Sequence, residues 1–125
     1  MKAHSSIAAT GVILALAASI PAMGSARAHG YLMESFPPRH ETVELPMGSV
    51  KLRFSVKADP KYSKVSIESE DGTIVTSQTL KEASHVFVMD TPQLSPGKYR
   101  VRYSILTPDG DLLQGVVDFK AEPKE

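Results

Sequence analysis

Cysteine is absent from the 125-residue chain, and so is tryptophan. Without cysteine there is no disulfide to staple the fold, no thiolate metal site, no dithiol redox pair and no cysteine nucleophile. Excess charge is absent too: 14 basic groups face 14 acidic ones. Nucleic-acid binding calls for a clustered basic surface, and nothing here supplies one. Also missing are G-x-S-x-G, H-E-x-x-H and a glycine-rich phosphate loop, which removes the commonest hydrolase and nucleotide-handling motifs. Beyond residue 28 no apolar run is long enough to span a bilayer.

What is present begins with an address. Met1-Lys2-Ala3-His4 is a short, weakly basic opening. Ile7 to Ile20 is apolar and rich in alanine, and Pro21 to Ala28 ends in Ala26-Arg27-Ala28. This pattern reads as a signal peptide over 1–28, cut after Ala28, with one domain over 29–125. The mature chain then has 97 residues, starts at His29 and carries 12 basic against 14 acidic groups, because Lys2 and Arg27 leave with the leader. It is expected to sit in an oxidising space outside the cytoplasm, with no stable membrane insertion after cleavage. Ninety-seven residues suffice for one modest core.

Short strands and turns fill that domain. Val50, Leu52, Phe54 and Val56 alternate with polar residues, and Val65 and Ile67 repeat the pattern. Asp71-Gly72 marks a tight turn before a strand opening at Ile74-Val75 and fading by Leu80. His85 to Met89 is another strand. Tyr99, Val101, Tyr103 and Ile105 form the cleanest alternation in the chain, and both tyrosines read as core. Pro108-Asp109-Gly110-Asp111 breaks it, and Leu113 to Lys120 closes the domain, with Ala121 to Glu125 expected to fray. No ten-residue stretch holds a helical period, although Lys81 to Ser84 has room for a single turn. Strands recurring about every ten residues imply an all-β sandwich.

The order of these pieces resembles the CopC family of periplasmic copper-binding proteins. The resemblance runs through the mature chain: the exported His29, Ser35-Phe36-Pro37, Leu52-Arg53-Phe54-Ser55 and the Asp71-Gly72 hairpin. It continues through Leu94-Ser95-Pro96-Gly97-Lys98-Tyr99-Arg100-Val101-Arg102-Tyr103 and Thr107-Pro108-Asp109-Gly110-Asp111, with Gly115 and Phe119 in phase after it. The implied fold is a small Greek-key β-sandwich, Ig-like or cupredoxin-like, of about seven strands.

The resemblance also implies a copper(II) site at His29 and the Asp109-Gly110-Asp111 loop. An α-amine and an imidazole on one residue chelate, and copper(II) favours a tetragonal set of nitrogen and oxygen donors. The family motif has histidine where this chain has Asp111. The expected donor set is therefore His29, Asp109 and Asp111, richer in oxygen, weaker for copper(II) and less selective against zinc. His40 is a candidate substitute nitrogen. His85 reads as a sheet histidine. Asp59 occupies a position where some family members carry an acidic residue, although Asp-Pro first suits a turn. Copper(I) needs clustered thioethers, and Met33, Met47 and Met89 are scattered, so no dedicated copper(I) site is expected.

Three functions stay open. The leading one is a periplasmic copper(II) carrier or buffer for copper homeostasis or resistance, monomeric, passing copper to an inner-membrane importer or a cuproprotein. The alternative is a CopC-like scaffold without metal, acting as a protein-interaction module through an edge strand. A copper oxidase or oxygenase is the least favoured, since no motif places a second histidine.

Overall fold

The computed structural model describes residues 30–124. It holds eight strands: β1 (Leu32–Phe36), β2 (Thr42–Leu45), β3 (Ser49–Ala58), β4 (Lys64–Ser69), β5 (Ile74–Thr79), β6 (Ser84–Asp90), β7 (Gly97–Leu106) and β8 (Leu112–Pro123). They form a three-stranded sheet in the order β1-β3-β6 and a five-stranded sheet in the order β2-β8-β7-β4-β5. The chain crosses between sheets five times, from β1 to β2, β2 to β3, β3 to β4, β5 to β6 and β6 to β7. The all-β sandwich reading therefore holds, with one strand more than the seven expected.

Alternation sets the two faces. In β7, Tyr99, Val101, Tyr103 and Ile105 point inward and are buried. In β3, Val50, Leu52 and Phe54 meet them from the smaller sheet, with Phe87 and Met89 of β6 alongside. Phe54 and Tyr103 touch edge to face across the sandwich, ring centroids 5.3 Å apart at 63°. That geometry suits the aromatic quadrupole and joins the two layers. The Tyr99 hydroxyl donates to the Ser95 carbonyl at 2.6 Å, which pins the entry to β7.

Two elements depart from the sequence reading. β8 continues to Pro123, and Ala121 within it is buried. The expected fraying does not occur there because β2 pairs with it in parallel, Thr42 opposite Lys120 through Leu45 opposite Pro123. Lys81 and Glu82 form a bend rather than a helical turn, and Ser84 already belongs to β6.

The outer face of the larger sheet carries ion pairs. Arg102 meets Glu68 at 2.6 Å and Arg100 meets Asp118 at 2.7 Å. These guanidiniums hold Glu68 and Asp118 below the usual carboxylate range, first through the hydrogen bond and then through charge. The Arg100–Asp118 pair is exposed on both sides, and such pairs contribute little to stability. Among the described residues, no helix is long and apolar enough to cross a membrane.

Candidate metal centre

The β7–β8 hairpin is built around one hydroxyl. Thr107 is buried. Its Oγ1 donates to Asp109 Oδ1 at 2.5 Å and accepts the Asp111 N–H at 3.0 Å. The Thr107 N–H donates to the Asp111 carbonyl at 2.8 Å, and Gly110 N–H to the Thr107 carbonyl at 3.0 Å. Gly110 closes the loop at φ 90°, a left-handed conformation that glycine adopts without penalty. Asp109 and Asp111 are thus both tied to Thr107, and both side chains are exposed at one end of the sandwich. Hydroxyl bonding of this kind to nearby backbone and side chains is how threonine shapes turns.

The start of the described chain comes to the same end. Tyr31 N–H donates to Ser55 Oγ at 3.0 Å, and Ser55 N–H donates to the Tyr31 carbonyl at 3.0 Å. One residue earlier, Gly30 lies so close to β3 that a Cβ there would sit 2.8 Å from Val56 Cγ2. That same position is 3.7 Å from Leu113 Cδ2, in the other sheet and two residues after Asp111. His29 lies outside the described residues.

Asp59 borders the hairpin, since its N–H donates to the Leu106 carbonyl at 2.9 Å. Its carboxylate is engaged in a turn: Oδ1 accepts from Lys61 N–H at 2.8 Å and from Tyr62 N–H at 3.1 Å. This is the turn-starting role that Asp-Pro suggested. Buried Ser63 completes the junction by accepting the Leu106 N–H at 3.0 Å.

The other sequence candidates lie elsewhere. His40 extends the β2–β8 pairing, its N–H donating to the Asp118 carbonyl at 2.7 Å. Asp118 is six residues along β8 from Leu112, about 20 Å at strand rise. His40 therefore cannot replace a nitrogen donor at the hairpin. It lines instead a cavity of about 400 Å³ on the outer face of the larger sheet, with Glu68, Arg100 and Asp118. His85 is exposed on β6, its Nδ1 3.2 Å from the Phe54 carbonyl, with β3 between it and β1. Met47 and Met89 are core residues and Met33 is exposed on β1. Among the described residues no three histidine, aspartate or glutamate side chains are grouped to hold a metal.

Thr107, Ser55 and Gly30 were not singled out as site residues by sequence. Thr107 had a local signal, a threonine two residues before Asp109 and four before Asp111. Ser55 and Gly30 had none, because their contacts reach across 24 residues and more.

The whole-chain comparisons agree with this architecture. The family model described as the CopC domain matches residues 32–122. The crystal structure of CopC from Methylosinus trichosporium OB3b is similar at 29% identity and a TM-score of 0.71, over 78% of this chain and 97% of that one. PcoC, a methionine-rich copper resistance protein from Escherichia coli, shares the fold at 24% identity and a TM-score of 0.62, over 76% of this chain and all of that one. No curated protein matches the sequence. With the matched family model spanning most of its length, the chain belongs to the CopC domain family.

Proposed function

We propose that this protein is a periplasmic copper(II) carrier or buffer, exported by the 1–28 leader and holding copper as cargo at one end of its sandwich. The donors in this reading are the α-amine and imidazole of His29, freed by cleavage after Ala28, together with Asp109 and Asp111. The observation that carries it is the position of Gly30 against Leu113, beside the 107–111 hairpin. Covalent geometry keeps the Cα of His29 about 3.8 Å from that of Gly30. That closeness supports the reading in which the terminal donors reach the end of the fold where both aspartates project.

The donor chemistry fits the ion. Two nitrogens and two carboxylate oxygens suit a tetragonal copper(II) centre. Both nitrogens must shed protons before binding, so uptake couples to pH. Asp111 in place of the family histidine trades a nitrogen for an oxygen and tunes the site towards weaker binding. The protein binds and releases, passing copper to a membrane importer or a cuproprotein, and it turns over no substrate.

The test is copper(II) titration of the mature protein, with His29 confirmed by mass as residue one, followed by electron paramagnetic resonance. The expected result is one copper per chain with a tetragonal signal coupled to nitrogen. That signal disappears in His29→Ala, and also when one extra residue precedes His29. No binding at micromolar protein sinks the carrier reading. It would favour the interaction module, which the exposed and uncharged edge strand β5 supports.

A further inference from the structure

We infer that Ser55 is a positioning residue for the metal donors at the chain start, with Gly30 as the slot through which the chain passes. This rests on the carrier reading above. In an antiparallel ladder, every second opposed pair exchanges both N–H and carbonyl bonds through its backbones. Tyr31 and Ser55 depart from that pattern. The Ser55 N–H donates to the Tyr31 carbonyl, but the Tyr31 N–H is received by the Ser55 side chain, both at 3.0 Å. The β1–β3 ladder proper begins only at Leu32 opposite Phe54, with a bulge just beyond it before Glu34. A side-chain oxygen thus takes over where the backbone ladder has stopped.

The consequence is directional. Held by this hydroxyl beyond the end of the backbone ladder, the chain start lies between β3 and β8 at Gly30. Gly30 lies where a Cβ would approach Val56 Cγ2 to 2.8 Å, with Leu113 of the opposite sheet on its other side. Any side chain at residue 30 would push the chain out of that slot. First residues of a domain fray unless tied down. Here the tie is one backbone bond and one bond to the Ser55 hydroxyl, both at Tyr31, two residues along the sequence from His29.

Ser55 is half-buried and its side-chain bond serves only Tyr31 among the hydrogen bonds of the described residues. Its removal should therefore spare the core while loosening the chain start. Losing a preorganised donor pair and paying its ordering on binding weakens affinity. An about tenfold loss is expected, the size of one net hydrogen bond.

The experiment compares the mature wild type with Ser55→Ala and Ser55→Thr, using copper(II) in competition with a chelator of known affinity. Amide hydrogen exchange at Tyr31 is read in the metal-free proteins. The expected result for Ser55→Ala is an affinity about tenfold lower, faster exchange at Tyr31 and a melting temperature within a few degrees of wild type. Ser55→Thr keeps the hydroxyl on a residue suited to strands and restores both readouts. Gly30→Ala serves as a second variant, lowering affinity through the slot with Ser55 intact. Wild-type affinity in Ser55→Ala alongside accelerated Tyr31 exchange overturns the positioning role and leaves the carrier intact. Failure of the wild type itself to bind copper(II) overturns the carrier reading, and this inference with it.

Discussion

The Thr107 hydroxyl sits between the two aspartates of its hairpin, 2.5 Å from Asp109 Oδ1 and 3.0 Å from the Asp111 amide nitrogen. One buried oxygen sets the conformation of both residues. Thr107→Val keeps the shape and removes both bonds. Hydrogen bonds to charged groups are the more valuable kind, so a loss of about 1–3 kcal/mol in unfolding free energy is expected by denaturant titration. Thr107→Ser, which retains the oxygen, is expected to lose much less.

Asp111 offers the cleanest gain-of-function change. Asp111→His restores the nitrogen of the family motif on an exposed hairpin residue. The expected outcome is copper(II) affinity at least about tenfold higher and a wider margin over zinc, since nitrogen donors favour copper(II) along the divalent series. Competition titrations with each metal read both quantities. Equal copper affinities in the two proteins would overturn the proposed role of Asp111 as a donor.

Gly115 faces Tyr103 directly across the β7–β8 ladder. A Cβ on residue 115 would overlap the Tyr103 hydroxyl and ring carbons. Tyr103 cannot swing aside, because its ring is packed against Phe54. Gly115→Ala is expected to destabilise by about 1–3 kcal/mol through overpacking. Adding Tyr103→Phe removes the hydroxyl and should recover part of that loss, a non-additivity that a double-mutant cycle measures.

Asp71 titrates far below an ordinary carboxylate, at about 2. Its Oδ1 receives the Ser69 hydroxyl at 2.5 Å and the Thr73 N–H at 3.0 Å, and these bonds favour the ionised form. A depressed folded-state pKa gives stability that is present above the unfolded value of 3.8 and fades as pH falls towards 2. Carboxyl-carbon NMR should place the Asp71 midpoint near 2. In Asp71→Asn, acid unfolding should lose part of its pH dependence between about 4 and 2.

Much of the sandwich was legible because alternation is a local signal. β7 could be read residue by residue from Tyr99 to Ile105, and β3 from Val50 to Val56. β2 could not, since four residues give too little alternation to separate a strand from a loop. Its partner is the tail of β8, and the burial of Ala121 follows from that long-range pairing alone. The hairpin was legible from Pro-Asp-Gly. The Tyr31–Ser55 clamp and the tight passage at Gly30 were not, because serine and glycine are common and their meaning here comes from residues far along the chain.

β8 also acts as a ruler. Leu113, near its start, touches the position where the chain enters the fold, and Pro123 is its last residue. Ten residues of strand separate them, about 33 Å. Anything attached at the carboxyl end, whether an affinity tag, a surface linkage or a second domain, is held at the far pole from the hairpin. Immobilisation through the carboxyl end would leave the hairpin end facing solution.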